Sequence, residues 1–185
     1  MSQSSFNCFL IAAITTDGFI GRGDADLSTR WTSKEDAAFY RQKSTEAGAV
    51  IMGSKTFATL GNKPLPNRVN IIYSRSEIPR TIDLKSVSSL ETGRAYRTSL
   101  TPPKLIDRLS EFGLNALAVS GGASVYRQFL ESRAVNEIFL TVEPLFFGDG
   151  VKLLDCKIDT LNLKLLEIKK LSAQTIVLHY QVNYD

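Results

Sequence analysis

The chain has 185 residues, of which 43% are hydrophobic and 22% are charged. This composition is typical of one soluble globular domain whose core is stable without disulfides or metal ions. We expect residues 1–185 to form a single domain. The net charge of +3 is small and the Lys and Arg residues are scattered. The charge pattern therefore argues against a nucleic-acid partner and permits a local basic pocket for a small anion.

Cysteine and histidine are too scarce for the common metal and disulfide sites. Cys8 and Cys156 lie far apart, and His179 is the one histidine. We therefore expect no metal site, no dense disulfide framework and a reducing, cytoplasmic location. The N-terminal run FLIAAI lacks a basic flank and is too short to cross a bilayer, so neither a signal peptide nor a membrane anchor is expected.

The first elements alternate between strand and helix. The apolar run over 6–16 predicts a buried strand, and the glycine-containing segment 18–30 predicts a loop. A helix is predicted from Ser33 to Glu46, followed by a buried strand over 49–53 and a short helix that begins at SKTF.

The second half continues this alternation. A turn-rich segment over 62–68 leads into a strand over 69–74, whereas 76–101 shows only one short strand, near Ile82 to Val87. The remaining segments predict, in order, helix, strand, helix and three strands: PPKLIDRLSEFG, NALAVSGG, ASVYRQFLES, VNEIFLTVEPLF, NLKLLEIKKL and QTIVLHYQVNY. The pattern indicates an α/β fold with a mostly parallel sheet and an antiparallel C-terminal hairpin at its edge.

Several predicted strands end at residues that suit an anion. Gly121 and Gly122 follow a strand and precede a helix, which is either a phosphate-binding turn or a simple tight turn. Lys55 and Arg75 also follow predicted strands. Arg68 begins a strand and is either a fork-shaped ligand for a carboxylate or phosphate, or an ordinary solvated arginine.

An adjacent acid pair, Glu35 and Asp36, lies in the first turn of the first predicted helix. Both acids fit a capping box, Glu35 with Thr32 and Asp36 with Ser33, and both are favoured there by the helix dipole. These residues alone do not separate a capping role from a chemical one.

Six segments, in chain order, resemble the dihydrofolate reductase family: IAAITTDGFIG, Trp31 with an acid five residues on, VIMGSKTF, PLPNRVNIIYSR, GGASVYRQF and EIFLTVEP. They extend from residue 11 to about 150, and this order is not expected by chance. The resemblance implies a three-layer, single-domain α/β fold with a mostly parallel central sheet and antiparallel C-terminal strands. It also implies an oxidoreductase of one-carbon metabolism that reduces 7,8-dihydrofolate to tetrahydrofolate with NADPH.

The resemblance assigns roles to individual residues. Asp36 matches the active-site carboxylate, which leaves Glu35 to cap the helix with Thr32. The catalytic positions are Asp36, Trp31 and Thr141, and the substrate-binding positions are Ile11, Tyr40, Lys63 and Arg68. The positions that match the NADPH site are Ala13, Ile20, Gly21, Gly53, Lys55, Thr56, Ser74, Arg75, Gly121, Gly122, Ala123, Ser124, Val125 and Tyr126. The glycine pair is usually joined by a cis peptide in this family.

The chain also departs from the family pattern. Ser54 stands where many members carry an arginine for the 2′-phosphate of NADPH, which leaves Lys55 and Arg75 to supply the positive charge. Ser120 replaces an apolar pocket residue, and the loop before Trp31 is longer than in typical bacterial members.

Two other functions fit parts of the pattern. STRWTSKEDA and EPLFFGDGVKLL resemble the reductase of riboflavin biosynthesis, which uses NADPH on a ribosylamino-pyrimidine phosphate. There, Arg68 with Lys63 or Lys34 would bind the substrate phosphate. A non-catalytic NADPH-binding protein is a second alternative, against which the Asp36 and Thr141 pair argues. Each function requires a small-molecule ligand and allows a monomer or a homodimer.

Overall fold

A computed structural model describes residues 6–23, 26, 28–154 and 160–184; Cys156 lies outside these ranges. The helices are α1 Lys34–Glu46, α2 Ser54–Thr59, α3 Pro102–Glu111 and α4 Ala123–Glu131. The strands are β1 Asn7–Thr15, β2 Phe19–Gly21, β3 Ala49–Gly53, β4 Val69–Tyr73, β5 Ile82–Asp83, β6 Ala95–Thr98, β7 Ala116–Val119, β8 Glu137–Glu143, β9 Val151–Lys152, β10 Asn162–Lys170 and β11 Ile176–Asn183.

The central sheet has the strand order β10-β11-β8-β1-β7-β3-β4-β6-β5. The pairs from β8 to β5 are parallel, whereas β11 pairs antiparallel with both β8 and β10. This arrangement confirms the prediction of a mostly parallel sheet with an antiparallel C-terminal hairpin at one edge. The carboxyl ends of the parallel strands consequently meet along one edge of the sheet, where ligands of such sheets bind.

The continuous apolar runs follow from burial on both faces of the sheet. Along β1, Leu10 faces a cluster that contains residues of α3 and α4, whereas its neighbours Phe9 and Ile11 face a cluster that contains residues of α1 and α2. Because successive side chains of a strand point to opposite faces, a strand covered on both sides needs apolar residues at every position. The helices thus form two outer layers around the sheet.

The structure corrects three sequence predictions. The strand expected near Ile82 to Val87 covers only two residues and is followed by a 3-10 turn, Leu84–Ser86. The segment 76–101 also contains β6, a four-residue strand too short to show a periodic pattern. The predicted loop over 18–30 contains β2, which pairs antiparallel with β9; that pairing joins distant segments that have no strong strand signal of their own.

The contacts of His179 indicate a structural role. His179 stacks on Phe139 with ring centroids 4.1 Å apart, and its Nε2 atom lies 2.9 Å from the Glu137 carboxylate. Within the described ranges, no helix combines the length and apolarity that a membrane span requires.

We expect the buried side chains of the central strand β3 to contribute strongly to the stability of this fold. Ile51 is fully buried, so Ile51→Ala should lower the free energy of unfolding by roughly 2–5 kcal/mol, measured by urea denaturation. The matched control is Ile168→Ala on the edge strand β10, where the side chain is 60% exposed and the expected cost is within about 0.5 kcal/mol. Equal costs at the two positions would contradict this assignment of the core.

Candidate functional site

A cleft of about 1530 Å³ runs along the carboxyl edge of the sheet. Most of the residues that the sequence assigns to a substrate or to NADPH line it: Ile11, Ala13, Ile20, Gly21, Asp36, Tyr40, Gly53, Lys55, Thr56, Arg68, Ser74, Arg75, Gly121, Gly122, Ala123, Ser124, Val125 and Tyr126. Thr141, Trp31 and Lys63 are absent from this lining. Segments far apart in the sequence thus meet at one cleft because their strands end on the same edge.

The start of α1 places Asp36 in the cleft. Ser33 is the N-cap, and its side chain accepts a hydrogen bond from the Asp36 backbone N–H at 3.1 Å. The expected cap by Thr32 and Glu35 is therefore wrong, because the helix begins one residue later than that pairing requires. Thr32 instead hydrogen-bonds the Asp36 carboxylate.

The Asp36 side chain is only 8% exposed and also receives a hydrogen bond from Thr141 of β8. Burial raises the pKa of Asp36, the hydrogen bond from Thr141 lowers it, and the nearby Glu143 carboxylate raises it further. Burial is the largest of these effects, so the pKa lies above that of an ordinary aspartate. Thr141 lies behind Asp36, which explains why it contacts the carboxylate without lining the cleft.

A second buried charge lies further along the same cleft. Arg68 is 3% exposed, and its guanidinium donates to the Ser44 hydroxyl and, at 3.0 Å, to the Pro66 carbonyl. No described Asp or Glu forms an ion pair with it, and burial lowers its pKa. A buried cation that lines a cleft without an acidic partner is suited to an anionic ligand.

Tyr40 lies between these two charged groups. Its hydroxyl shares hydrogen bonds with Ser120 and Ser44, and burial raises its pKa. Ser120, which departs from the family pattern, thus supplies a polar partner inside the cleft.

The glycines at the ends of β3 and β7 allow close approach to the backbone. Gly121 and Gly122 are joined by a cis peptide, and the Gly53 N–H donates to the Gly121 carbonyl at 2.9 Å. Gly121 has φ +117°, and a Cβ there would meet the Tyr126 hydroxyl at 3.2 Å. A side chain at this position would therefore be strained and would crowd the turn.

The two helices that follow these glycines begin without side-chain caps. Gly53 is the N-cap of α2 and Gly122 that of α4, and neither helix has an acid in its first turn. No side chain caps the start of α4, and the backbone N–H groups at such a helix start bind phosphate well. Lys55 and Arg75 lie at the same end of the cleft, at the carboxyl ends of β3 and β4.

The segments before β2 and before β9 are joined by residues that the sequence analysis did not assign. The Asp17 carboxylate accepts hydrogen bonds from the backbone N–H groups of Phe147 and Gly148, at 3.1 and 2.8 Å. Desolvation raises the pKa of Asp17, but the hydrogen bonds from Thr15, Gly148 and Phe147 together lower it below its ordinary value. The Arg22 guanidinium lies 4.3 Å from the centre of the Phe147 ring. The turn after β1, which leads into Ile20 and Gly21 of β2, is thereby held to the segment before β9.

Besides Thr141, two sequence-assigned residues do not reach the cleft lining. Trp31 packs edge-on against Phe147 with centroids 5.2 Å apart, and its Nε1 atom is buried without a hydrogen-bond partner among the described residues. Lys63 is exposed in the turn after α2. Both residues follow turns whose conformation depends on tertiary contacts. The match of these residues to family positions therefore did not reveal where their side chains lie.

An apolar wall is the feature that sequence reasoning missed most clearly. This wall consists of Leu60, Leu65 and Pro66, which line the same cleft as Arg68. Leu and Pro in a turn-rich segment carry no signal of ligand contact, because scattered surface apolar residues are common. No group of three or more His, Cys, Asp and Glu side chains in the described part of the chain is arranged to hold a metal ion.

Comparisons with known proteins identify the family of this chain. The family model for dihydrofolate reductase matches residues 7–149. A dihydrofolate reductase of Neisseria gonorrhoeae is 32% identical over 137 residues, which cover 72% of this chain and 74% of the relative. A bifunctional dihydrofolate reductase-thymidylate synthase of Paramecium tetraurelia is 29% identical over 134 residues, 71% of this chain, but the chain spans only 25% of that protein.

Solved structures share the fold at lower sequence identity. A pyrimidine reductase-like protein from Corynebacterium diphtheriae superposes with a TM-score of 0.76 at 20% identity, covering 97% of this chain and 92% of that one. A dihydrofolate reductase from Enterococcus faecalis, solved with NADP(H), superposes with a TM-score of 0.69 at 16% identity, covering 97% and 98%. The family model and the gonococcal relative therefore identify this chain as a member of the dihydrofolate reductase family.

Proposed function

We propose that the chain reduces 7,8-dihydrofolate to 5,6,7,8-tetrahydrofolate with NADPH. The observation that carries this proposal is the buried Asp36 carboxylate, held by Thr141 and facing a cleft. A carboxylate in this position can accept hydrogen bonds from both the 2-amino group and the neighbouring ring N–H of a pterin. These bonds orient the ring and increase the basicity of N5, where a proton is needed.

The rest of the cleft suits the other parts of dihydrofolate. The apolar wall of Leu60, Leu65 and Pro66 can pack against the p-aminobenzoyl ring, and Arg68 beyond it can bind the glutamate α-carboxylate. The alternative ribosylamino-pyrimidine phosphate has no second aromatic ring, beyond the pyrimidine itself, to cover that wall. Arg68, which lines the cleft, could also bind the phosphate of the alternative substrate, but Lys63 and Lys34, one of which would accompany it, are exposed and outside the cleft lining.

The other end of the cleft suits NADPH. The backbone at Gly121 and Gly122 and the uncapped start of α4 would hold the diphosphate, and Lys55 and Arg75 would bind the 2′-phosphate. When bound, NADPH supplies the hydride. Ala13 and Ile20 line the cleft near Asp36 and would exclude water from the nicotinamide.

Asp36→Asn should lower kcat for dihydrofolate by at least roughly 10²-fold, because an amide cannot accept both pterin hydrogen bonds. Consumption of NADPH, followed by its absorbance with dihydrofolate and the ribosylamino-pyrimidine phosphate offered separately, is the measurement. Glu35→Gln is the matched control, because Glu35 is adjacent in sequence but outside the cleft lining. Turnover of the pyrimidine alone, or binding of NADPH without turnover of either compound, would contradict the proposal.

The raised pKa of Asp36 predicts a pH dependence. In the complex, Asp36 and pterin N5 titrate as a pair, and the reactive form is the ionised carboxylate with the proton on N5. We expect the rate of hydride transfer, measured in a single turnover, to fall as the pH rises through the pKa of this pair, because the proton on N5 is then lost. A flat profile across that range, with hydride transfer limiting the rate, would argue against the assignment.

The same pKa predicts how stability depends on pH. Its folded-state value lies above the unfolded value, so the contribution of Asp36 is fully present at pH below the unfolded pKa and is lost as the pH rises through the folded pKa. Asp36→Asn, which does not titrate, should therefore gain in Tm relative to the wild type as the pH rises. A difference in Tm that does not change with pH would contradict the raised pKa.

Arg68 offers a test of substrate class. Arg68→Met should raise KM for dihydrofolate by roughly 10- to 100-fold, because a charge-assisted hydrogen bond contributes about 1.5–3 kcal/mol. It should leave KM for dihydropteroate, which lacks the glutamate, close to the wild-type value. Equal effects on the two substrates would show that Arg68 acts through the structure of the cleft rather than through the glutamate.

A further inference from the structure

Glu143, at the end of β8, is a buried acid whose role the proposed reaction does not explain. Its side chain is 2% exposed, and its carboxylate accepts three hydrogen bonds, from the Ser33 N–H at 2.8 Å, the Ser33 hydroxyl at 2.7 Å and the Thr175 hydroxyl at 3.0 Å. No described Lys, Arg or His forms an ion pair with it. Burial of a carboxylate without a cation is costly, so a well-packed apolar residue would serve a purely structural role better.

The contact is made at the N-cap of the helix that carries Asp36. Ser33 and Asp36 have the spacing of a capping box, in which the acid at the third helical position reaches back to the N-cap backbone N–H. Half of that box is present, because the Ser33 hydroxyl accepts from the Asp36 backbone N–H. The other half is replaced, because the Ser33 backbone N–H donates to Glu143 instead.

The geometry of β8 explains how this replacement serves the cleft. Thr141 and Glu143 are two residues apart on one strand, so their side chains lie on the same face. Glu143 accepts a hydrogen bond from the Ser33 N–H at the N-cap of α1, and Thr141 donates one to the Asp36 carboxylate one helical turn further on. The strand thus contacts the first turn of the helix at two points.

We propose that Glu143 is a positioning residue: by accepting the backbone N–H of Ser33, it leaves the Asp36 carboxylate free to face the cleft. Without Glu143, the Asp36 side chain would turn back to the vacant Ser33 N–H and complete an ordinary capping box. This inference rests on the proposed role of Asp36 in substrate binding.

Three variants test the proposal. Glu143→Met keeps the side-chain length and removes both acceptors, so kcat for dihydrofolate should fall roughly 10²-fold while the affinity for NADPH is unchanged. Glu143→Gln keeps one oxygen for Ser33 and should retain a kcat close to the wild type. Glu137→Met, at the opposite end of the same strand, is the matched control and should leave kcat unchanged.

Two further measurements separate positioning from a structural defect. In the Asp36→Asn background, Glu143→Met should add little further loss of kcat, because both changes affect the same carboxylate. A crystal structure of Glu143→Met should show an Asp36 carboxylate oxygen bonded to the Ser33 N–H. Should Glu143→Met not fold, Glu143→Asp, whose oxygens withdraw from Ser33 by one methylene, tests the same expectations.

The proposal is overturned if Asp36 keeps its bond to Thr141 in the Glu143→Met structure, if that variant retains wild-type kcat, or if Glu143→Gln loses as much activity as Glu143→Met. A wild-type protein that reduces neither substrate would overturn the proposed function only. The position of the Asp36 side chain in the Glu143→Met crystal would then still decide whether Glu143 directs it.

Discussion

The contact between β8 and the first turn of α1 is the interaction on which the candidate site depends. It combines two carboxylates, Asp36 and Glu143, with the hydroxyl groups of Ser33 and Thr141 in a region that is almost closed to water. Each carboxylate there has hydrogen-bond donors, which reduces the cost of burying it. The helix dipole also favours acids at this end of α1. As a result, the Asp36 carboxyl is held at a defined position and has a raised pKa.

The parallel sheet brings the remaining groups to the same place. The strands β1, β3, β4 and β7 end along one edge, so that residues from distant parts of the chain line one cleft. The two ends of that cleft differ in polarity and charge, and so do the proposed ligands, NADPH and dihydrofolate. One end presents the uncapped start of α4 and small residues, which suit phosphates, and the other presents Asp36, an apolar wall and Arg68.

The buried polar residues lie where the proposed function needs them, at a cost to stability. Asp36 and Arg68 are both nearly inaccessible, and burial shifts the pKa of each toward its neutral form. Apolar residues at these positions would pack more favourably, but they could not bind a pterin or a carboxylate. The surrounding core on both faces of the sheet supplies the stability that offsets this cost.

Local patterns in the sequence were sufficient for the long strands and for the helices α1 and α4, because a strand buried on both faces needs continuous apolar residues and a helix needs a cap and a period. The resemblance to the dihydrofolate reductase family located Asp36, Thr141, Arg68 and the glycine pair. Only the tertiary structure determined that Glu143 takes the Ser33 N–H, that Trp31 packs on Phe147, and that β2 pairs with β9. These contacts join residues more than a hundred positions apart, and the fold, rather than any local propensity, brings them together.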